Sequence, residues 1–269
     1  MWLTGWTDVG ITTMTEMVQN INRIFKAVSI PIFSDVDTGY GTAVNVYRTT
    51  KEYIWAGAAG FHLEDQEFPK KSGSMAGRRL VPIEEAVGKY KAAAAAKREL
   101  DPDFVICARS DARGAEGGGF EEVLKRGKAY EEAGADVIFF ESLQSWDECK
   151  TAIKSVNIPA FCLLHPVIQP HPSLEEQQQA GQAIAMYVGL GALAGTLAAW
   201  ELLVDFKKRG VQAQVDYMEG LKAKGIDNPF GVLSKILSMG LEEVKDLEER
   251  FLPKQLQRDY DSTIGTRPS

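Results

Sequence analysis

The sequence predicts an α/β protein built on a parallel sheet, and three observations indicate this fold. Short apolar runs alternate along the chain with longer amphipathic stretches, which is the pattern of strand–helix–strand units. The runs are apolar almost without interruption, as in strands that a parallel sheet buries on both faces. Polar and charged residues follow several of the runs directly, where folds of this class place their ligand sites.

Six apolar runs are predicted to be strands. They are residues 31–36, 60–64, 104–109, 137–141, 160–164 and 184–188. A closed (β/α)8 barrel needs eight parallel strands. The shortfall lies at the start of the chain, which opens almost directly on a helix.

Amphipathic stretches between these runs predict helices. Residues 13–28 place Met14, Met17, Ile21 and Ile24 on one helical face. The other helices predicted in this part of the chain are residues 43–56, 83–100, 120–133, 145–155, 174–180 and 191–208.

The pattern changes beyond Gly210, where predicted helices follow one another with no strand between them. These helices are residues 211–224, 232–239 and 241–251. We therefore expect a barrel-type domain over residues 1–210, a helical extension over residues 211–252, and a flexible tail over residues 253–269.

Composition narrows the class of protein. The 269 residues include 45% hydrophobic and 25% charged residues, which are globular values. Lys plus Arg number 30 and Asp plus Glu 37, so the net charge of 30 − 37 = −7 argues against a nucleic-acid or anionic-membrane surface. Three scattered cysteines do not make a disulfide framework or a zinc site. No apolar run approaches a membrane span and no signal peptide is visible, so a cytoplasmic location is expected.

Carboxylates follow the first predicted strand. Asp35 and Asp37 are two residues apart, so on a regular strand they point to the same side. Two carboxylates this close require a cation or a shared proton, and hard oxygen ligands suit Mg²⁺ bound partly through water. Gly39 and Gly41 allow a sharp turn and close approach of a ligand. The alternative is that this run only caps the following helix.

Further motifs follow this run in a fixed order, and together they resemble the isocitrate lyase/phosphoenolpyruvate mutase superfamily. The resemblance extends over about residues 5–200. The matching runs are residues 5–11 (GWTDVGI), 35–41 (DVDTGYG), 45–49 (NVYRT), 56–60 (AGAAG), 63–66 (LEDQ), 108–112 (ARSDA) and 130–136 (YEEAGAD).

The resemblance implies a (β/α)8 barrel, here lacking its first two strands. It also implies Mg²⁺- or Mn²⁺-dependent chemistry on small 2-oxo or 2-hydroxy carboxylic acids, and a homotetramer that exchanges its last barrel helix between subunits. Asp37 matches the direct metal ligand and Asp35 its partner, while Asp8 and Glu64 match carboxylates that hold metal-bound waters.

The resemblance also assigns residues to substrate and catalysis. Arg109 matches a clamp for the substrate carboxylate, and its planar fork of donors suits that group. His62 and Glu141 match polar residues of the pocket wall, although His62 could equally be a core histidine. The candidate catalytic residues are Arg109, Glu141, His62 and Ser72, and the candidate substrate-binding residues are Tyr40, Gly41, Arg109, Ser74 and Cys162.

Two positions depart from the superfamily pattern. Carbon–carbon lyases of this group carry a catalytic cysteine and a histidine in the loop after the second strand, where this chain has Ser72 and Ser74. A serine hydroxyl is a far weaker acid than a thiol, so proton delivery by cysteine is lost. After the fifth strand, Cys162 or Leu163 replaces a substrate-binding asparagine, and His165 could be a new acid or base.

We therefore expect a metal-dependent lyase that acts in the manner of a decarboxylase on a small oxo- or hydroxy-acid. A hydrolase or phosphomutase on the same scaffold is the first alternative. An inactive member of the superfamily is the second.

Overall fold

The computed structural model describes residues 4–165, 168–226 and 240–260 of the chain. The chain divides into two compact units, residues 1–189 and residues 190–269. Each unit is described separately below.

The first unit alternates strands and helices. Its strands, in the part that the structure describes, are β1 (Phe33–Asp35), β2 (Gly60–Glu64), β3 (Val105–Ser110), β4 (Val137–Phe140) and β5 (Ala160–Cys162). Its helices are α1 (Met14–Phe25), α2 (Ala43–Ala56), α3 (Ile83–Leu100), α4 (Phe120–Glu132), α5 (Trp146–Lys154) and α6 (Leu174–Gln179).

The strands form one parallel sheet in the order β1-β2-β3-β4-β5. The register places Asp35 beside His62, Glu64 beside Arg109, and Arg109 beside Phe139. Each strand lies next to the strand that follows it in sequence, which is the arrangement of a barrel-type α/β fold. The predicted fold class is confirmed.

The two faces of the sheet bury different side chains. Phe61, Ile106, Ile138 and Phe140 belong to the main core cluster, which includes residues of the surrounding helices. The opposite face has a smaller cluster in which the rings of Phe139 and Phe161 stack with centroids 4.6 Å apart. Because both faces exclude water, the strands contain little besides apolar residues until their carboxyl ends, where polar side chains begin.

Local signals fix where the helices begin. Thr13 and Glu16 form a reciprocal capping box at the start of α1, and Ser173 and Glu176 form another at α6. The side chain of Ser145 accepts a hydrogen bond from the backbone of Glu148 and so caps α5. The helices predicted from the sequence in this unit are therefore present, with ends shifted by up to three residues.

The sixth predicted strand, residues 184–188, is wrong. The chain makes a single parallel bridge, from Gln182 to Ala160 of β5, and then continues without strand structure. Ile184 and Met186 alternate with exposed residues and pack against the smaller apolar cluster. An apolar run therefore packs on the sheet here without joining its hydrogen-bond ladder. Among the described residues the sheet has five strands.

The second unit is helical where it is described. Its helices are α7 (Leu190–Arg209), α8 (Val211–Ala223) and α9 (Leu241–Phe251). The predicted helix over residues 232–239 lies outside the described residues. Gly210 adopts φ +61° between α7 and α8. After α9, the backbone N–H of Arg258 and the hydroxyl of Tyr260 donate to the Glu248 carboxylate at 3.0 and 2.8 Å.

No helix in the described part of the chain combines the length and the apolar character needed to cross a bilayer.

Candidate active site

The turn after β1 brings two carboxylates to the carboxyl edge of the sheet. The backbone N–H of Asp37 donates to Asp35 Oδ1 at 2.7 Å, which ties the two residues together. Asp37 and Tyr40 adopt positive φ values of 46° and 59°. Such backbone is costly for residues other than glycine and clusters at functional sites. The turn also caps α2 through Thr42, as the alternative interpretation of this run predicted.

Lys70 joins this turn to the amino-terminal segment. Its Nζ lies 2.5 Å from Asp8 Oδ1 and 2.8 Å from Asp37 Oδ1, and its side chain is 1% exposed. Asp8, Asp35, Asp37 and Tyr40 line one cavity of about 100 Å³. Three of the carboxylates predicted to hold the metal, Asp8, Asp35 and Asp37, therefore line one cavity. The Lys70 ammonium group lies between Asp8 and Asp37.

The charges in this cavity shift its two central carboxylates in opposite directions. Burial raises the pKa of Asp35, but the electrostatic interactions with His62, Lys70 and Arg109 and the hydrogen bond from the Asp37 N–H outweigh it, so the net shift is downward. Burial and the neighbouring charge of Asp35 raise the pKa of Asp37, against the opposing effect of Lys70. A divalent cation beside the pair would favour ionisation of both groups.

The Arg109 guanidinium lies at the centre of the site. Its Nε and one terminal nitrogen donate to the two oxygens of Asp111, each at 2.9 Å, in a bidentate pair. Its other terminal nitrogen lies 3.2 Å from Glu64 Oε2. Burial opposes the charge of Arg109, but Asp111, Glu64 and Glu141 keep its pKa well above the ordinary value. Asp111 thus fixes the orientation of Arg109, the residue predicted to bind the substrate carboxylate.

Glu64 is buried without a hydrogen bond to either carboxylate oxygen. Arg109 approaches it as an ion pair, but not in hydrogen-bonding geometry. Burial raises the pKa of Glu64 well above its usual range, with Arg109 opposing. A buried carboxylate with two unsatisfied oxygens indicates a site that a water or a cation normally completes.

His62 lies beside Asp35 on the neighbouring strand. Its Nδ1 is 3.7 Å from Asp35 Oδ1 and has no hydrogen bond, and its ring packs edge-on against Phe139. Burial lowers the pKa of His62, so the neutral ring is favoured at neutral pH. His62 is thus a buried histidine whose Nδ1 lacks a hydrogen bond, unlike a core histidine with its hydrogen bonds satisfied.

The loop over residues 70–78 covers this cluster. The Gln66 side chain donates to the Lys71 carbonyl and accepts from its N–H, at 2.8 and 3.0 Å, which fixes the start of the loop. Gly73 lies so close to the cluster that a Cβ there would be 2.6 Å from Glu141 Cδ. The Ser142 hydroxyl donates to the Gly73 carbonyl at 2.6 Å. The loop is therefore closed in this structure.

The two loop serines are near this cluster. Ser72 Oγ and Ser74 Oγ lie 3.1 Å apart and hydrogen-bond to each other. Both belong to the closed loop, on either side of Gly73. No basic side chain is bonded to either hydroxyl among the contacts of the described residues.

Cys162 is not brought to the site, which corrects the prediction. Its side chain belongs to the core cluster between sheet and helices, and its Sγ lies 3.9 Å from the Cys149 carbonyl of α5. Leu163, the next residue, packs on the opposite face with Phe161. Since side chains alternate along a strand, a shift of one position moved the predicted residue to the wrong face.

Several residues of the site were missed by reasoning from the sequence. Asp111 belongs to the run over residues 108–112 and Lys70 lies just before the loop serines, but nothing in the sequence indicates that Asp111 pairs with Arg109 or Lys70 with Asp37. Ser142 adopts φ +60° and links the loop to Glu141. Its position directly after a predicted strand, beside Glu141, was the one available signal.

The donor set fits Mg²⁺ or Mn²⁺. Across the described residues, no three carboxylate, imidazole or thiol groups converge closely enough to form a complete ligand shell. Mg²⁺ does not require one, because it usually binds one or two carboxylates and keeps several waters. Asp35, Asp37, Asp8 and the unsatisfied oxygens of Glu64 supply such a set, all with hard oxygen donors.

The fold and the site together indicate an α/β enzyme of the barrel type. Its parallel strands hold carboxylates and an arginine at their carboxyl ends, where enzymes of this class have their active sites. The family model described as phosphoenolpyruvate phosphomutase matches residues 1–199. The chain therefore belongs to the isocitrate lyase/phosphoenolpyruvate mutase superfamily, as the sequence motifs predicted.

Individual relatives agree with this assignment. The chain is 39% identical to the 2,3-dimethylmalate lyase of Eubacterium barkeri, over 92% of this chain and 81% of the relative. Its structure is similar to that of a phosphoenolpyruvate phosphomutase from Streptomyces platensis subsp. rosaceus, with a TM-score of 0.80 and 30% identity over 93% and 83% of the two chains. It is also similar to a phosphonopyruvate hydrolase complex with oxalate and Mg++, with a TM-score of 0.66 and 32% identity over 80% of each chain.

Proposed function

We propose that this protein is an Mg²⁺- or Mn²⁺-dependent lyase that cleaves a carbon–carbon bond of a small 2-oxo or 2-hydroxy di- or tricarboxylic acid through an enolate. The observation that carries the proposal is the shared cavity of Asp8, Asp35 and Asp37 on the sheet face that also holds Arg109. The similarity to a 2,3-dimethylmalate lyase supports the lyase class.

In the proposed reaction, Arg109 orients the substrate. Asp111 holds two of the guanidinium nitrogens at 2.9 Å, so the side chain cannot rotate away from the cavity. A substrate carboxylate would bind its remaining donors, which now face Glu64. Holding an anionic substrate in one plane lowers the activation barrier, because the loss of substrate entropy occurs on binding and not in the reaction step.

Asp37 and Asp35 would hold the metal directly, with Asp8 and Glu64 binding its waters. When bound there, the ion would act as a Lewis acid beside the oxygen on which negative charge develops. Lys70 places a positive charge at Asp8 and Asp37. These two carboxylates therefore face a cation whether or not the metal is bound.

The closed loop excludes water from the reacting group. A Cβ on residue 73 would lie 2.6 Å from Glu141 Cδ and 2.7 Å from a terminal nitrogen of Arg109, so the loop can close only because residue 73 has no side chain. Opening of this loop would admit the substrate and release the products.

Ser72 favours a decarboxylase-like reaction over one that needs a loop thiol. In the described part of the loop its hydroxyl bonds only Ser74, and no base there activates it. The absence of a thiol leaves a hydrolase or a phosphomutase as the second candidate, supported by the similarity to phosphonopyruvate hydrolase. An inactive protein is the remaining alternative.

We further propose a homotetramer in the cytoplasm, in which a barrel helix is exchanged between subunits. The apolar side chains of α7 that stay exposed in the single chain, including Leu193, Leu197 and Trp200, support the exchange of this helix.

A product screen tests the function. The protein is incubated with a panel of 2-oxo and 2-hydroxy di- and tricarboxylic acids and Mg²⁺, and products are identified by mass spectrometry. We expect pyruvate or glyoxylate as one product, loss of activity with EDTA, and no activity in Asp37→Ala. The exposed Asp147→Ala variant is the matched control and should remain active. Release of oxalate with acetate, or of phosphate, would indicate the hydrolase, and no turnover would contradict the proposal.

A further inference from the structure

The proposed cleavage requires a proton donor, and most groups in the site are unsuited to that role. An enolate becomes a stable product only when its carbon takes a proton. The hydroxyls of Ser72 and Ser74 bond each other, and no ionisable side chain of the described residues bonds either one. The Cys162 thiol lies on the helix side of the sheet.

Tyr40 and His62 are also unsuited to this role because of their surroundings. Burial raises the pKa of Tyr40, and the nearby Tyr53 raises it further. His62 is enclosed between Phe33 and Phe139, and burial lowers its pKa, so it is neutral when a proton is needed.

His165 is placed differently. It follows β5, one of the strands whose carboxyl ends form the site, and its side chain is 26% exposed. Its Nε2 lies 3.1 Å from Oε1 of Glu141, whose side chain is 2% exposed. A partly open imidazole bonded to a buried carboxylate is the arrangement of an oriented acid–base group.

Glu141 connects this imidazole to the rest of the site. Its second oxygen, Oε2, is 4.0 Å from a terminal nitrogen of Arg109. The Ser142 hydroxyl, 3.0 Å away, also binds Oε1, and the closed loop touches the carboxylate at Gly73. His165 is therefore linked through a single residue to the substrate clamp and to the loop.

The charges around His165 favour its protonated form. The hydrogen bond to Glu141 and the Glu141 charge raise the pKa of His165, while partial burial and the positive charges of Arg78 and Arg109 oppose this. Glu141 itself is kept ionised because His165, Arg109 and Ser142 outweigh its burial and lower its pKa.

We propose that His165 is the general acid of this enzyme and that Glu141 is its positioning residue. This inference rests on the proposed lyase function. As the carbon–carbon bond breaks, its electron pair forms the enolate. The His165 imidazolium then loses one N–H bond, the enolate carbon gains one C–H bond, and solvent returns the proton to the neutral ring. Glu141 binds Nε2 and so leaves Nδ1 as the nitrogen that exchanges its proton.

The first test is a histidine titration by NMR in the full-length protein with Mg²⁺ present. The chain has only three histidines, so each can be assigned by substitution. We expect the midpoint of His165 to lie above about 6.5, the ordinary value of a histidine, and to fall in Glu141→Gln. If His165 titrates at or below that value, or if Glu141→Gln leaves its midpoint unchanged, the pair is not formed and the inference is overturned.

The second test is turnover of His165→Gln, which keeps a polar side chain beside Glu141 but cannot titrate. With the carboxylic acid panel and Mg²⁺, we expect kcat to fall about 100-fold or more while KM changes little. His171→Gln is the matched control, since His171 contacts Gln169 outside the site, and its rate should not change.

The outcomes separate the inference from the function on which it rests. If the wild type is active and His165→Gln keeps its rate, the inference alone is overturned. If the wild type cleaves none of the acids, the lyase function fails and the inference fails with it.

Discussion

Gly73 of the covering loop lies against Glu141 at the end of β4, with no room for a side chain between them. A Cβ on residue 73 would be 2.6 Å from Glu141 Cδ and 2.7 Å from a terminal nitrogen of Arg109. Contacts this short do not occur without displacement of one partner. The closed position of the loop and the arrangement of the catalytic side chains therefore depend on each other.

Gly73→Ala tests this dependence. The added methyl group should hold the loop away from Glu141 and lower kcat/KM by about 10-fold or more, because small misplacements of an active-site element are costly. The melting temperature should change little. Gly88→Ala, on α3 where a Cβ meets open space, is the matched control and should keep full activity. Equal activity of both variants would show that loop closure is not required.

Lys70→Met tests the role of the lysine as a counter-charge. Without the ammonium, Asp8 and Asp37 lose their shared partner. In metal-free buffer we expect the free energy of unfolding to fall by about 1–2 kcal/mol. This is less than for a fully buried ion pair, because Asp8 is partly exposed and solvent screens its charge. Saturating Mg²⁺ should stabilise this variant more than the wild type, as thermal denaturation would measure. Lys71→Met is the neighbouring control, and a response of Lys70→Met no larger than that of the control would contradict the assignment.

Asp65 anchors the strand end that carries Glu64. It accepts hydrogen bonds from Arg126 at 3.1 Å, from the Tyr130 hydroxyl at 2.6 Å and from the N–H of Asp111 at 2.9 Å. Asp65→Ala leaves the Arg126 charge buried without this partner and should cost about 3–5 kcal/mol in urea unfolding. Asp65→Asn keeps one acceptor oxygen and should cost less. A loss below about 1 kcal/mol in Asp65→Ala would show that the network is not required for stability.

The His165–Glu141 pair predicts a pH dependence of stability. The pKa of His165 is raised in the fold by Glu141, so its contribution is complete below about pH 6.5, the unfolded value, and is lost as the pH rises through the raised folded value. The pKa of Glu141 is lowered, so its contribution is lost only as the pH falls below about 4.3.

Urea unfolding of the wild type and His165→Gln at pH 6 and pH 9 measures this effect. The stability advantage of the wild type should be larger at pH 6 than at pH 9. An advantage that does not change with pH would mean that the ion pair is absent in solution.

The alternation of strands and helices could be predicted because strands buried on both faces are apolar almost throughout. The run over residues 184–188 is also apolar but forms no strand, since apolar content indicates burial and not backbone pairing. Ile184 and Met186 are half-buried beside the sheet, and their sequence alone cannot distinguish packing on the sheet from pairing with it.

The site was predictable where position along a strand determines direction. Asp35, Glu64 and Arg109 follow strands and meet at one edge, as expected. Cys162 was misplaced because the face of a short strand depends on a register that the sequence does not specify. Lys70 was missed because its partners lie in segments distant in sequence, and no local pattern distinguishes a buried loop lysine from a solvated one.

The central claim is that the acidic cavity of Asp35, Asp37 and Asp8 binds a divalent cation beside Arg109. Isothermal titration calorimetry with Mg²⁺ on the folded protein tests it most directly, with Asp37→Asn as the variant and Asp147→Asn as the control. We predict one saturable site in the wild type and the control, and binding at least about 10-fold weaker in Asp37→Asn. Absence of Mg²⁺ binding by the wild type, or equal affinity in Asp37→Asn, would contradict the claim.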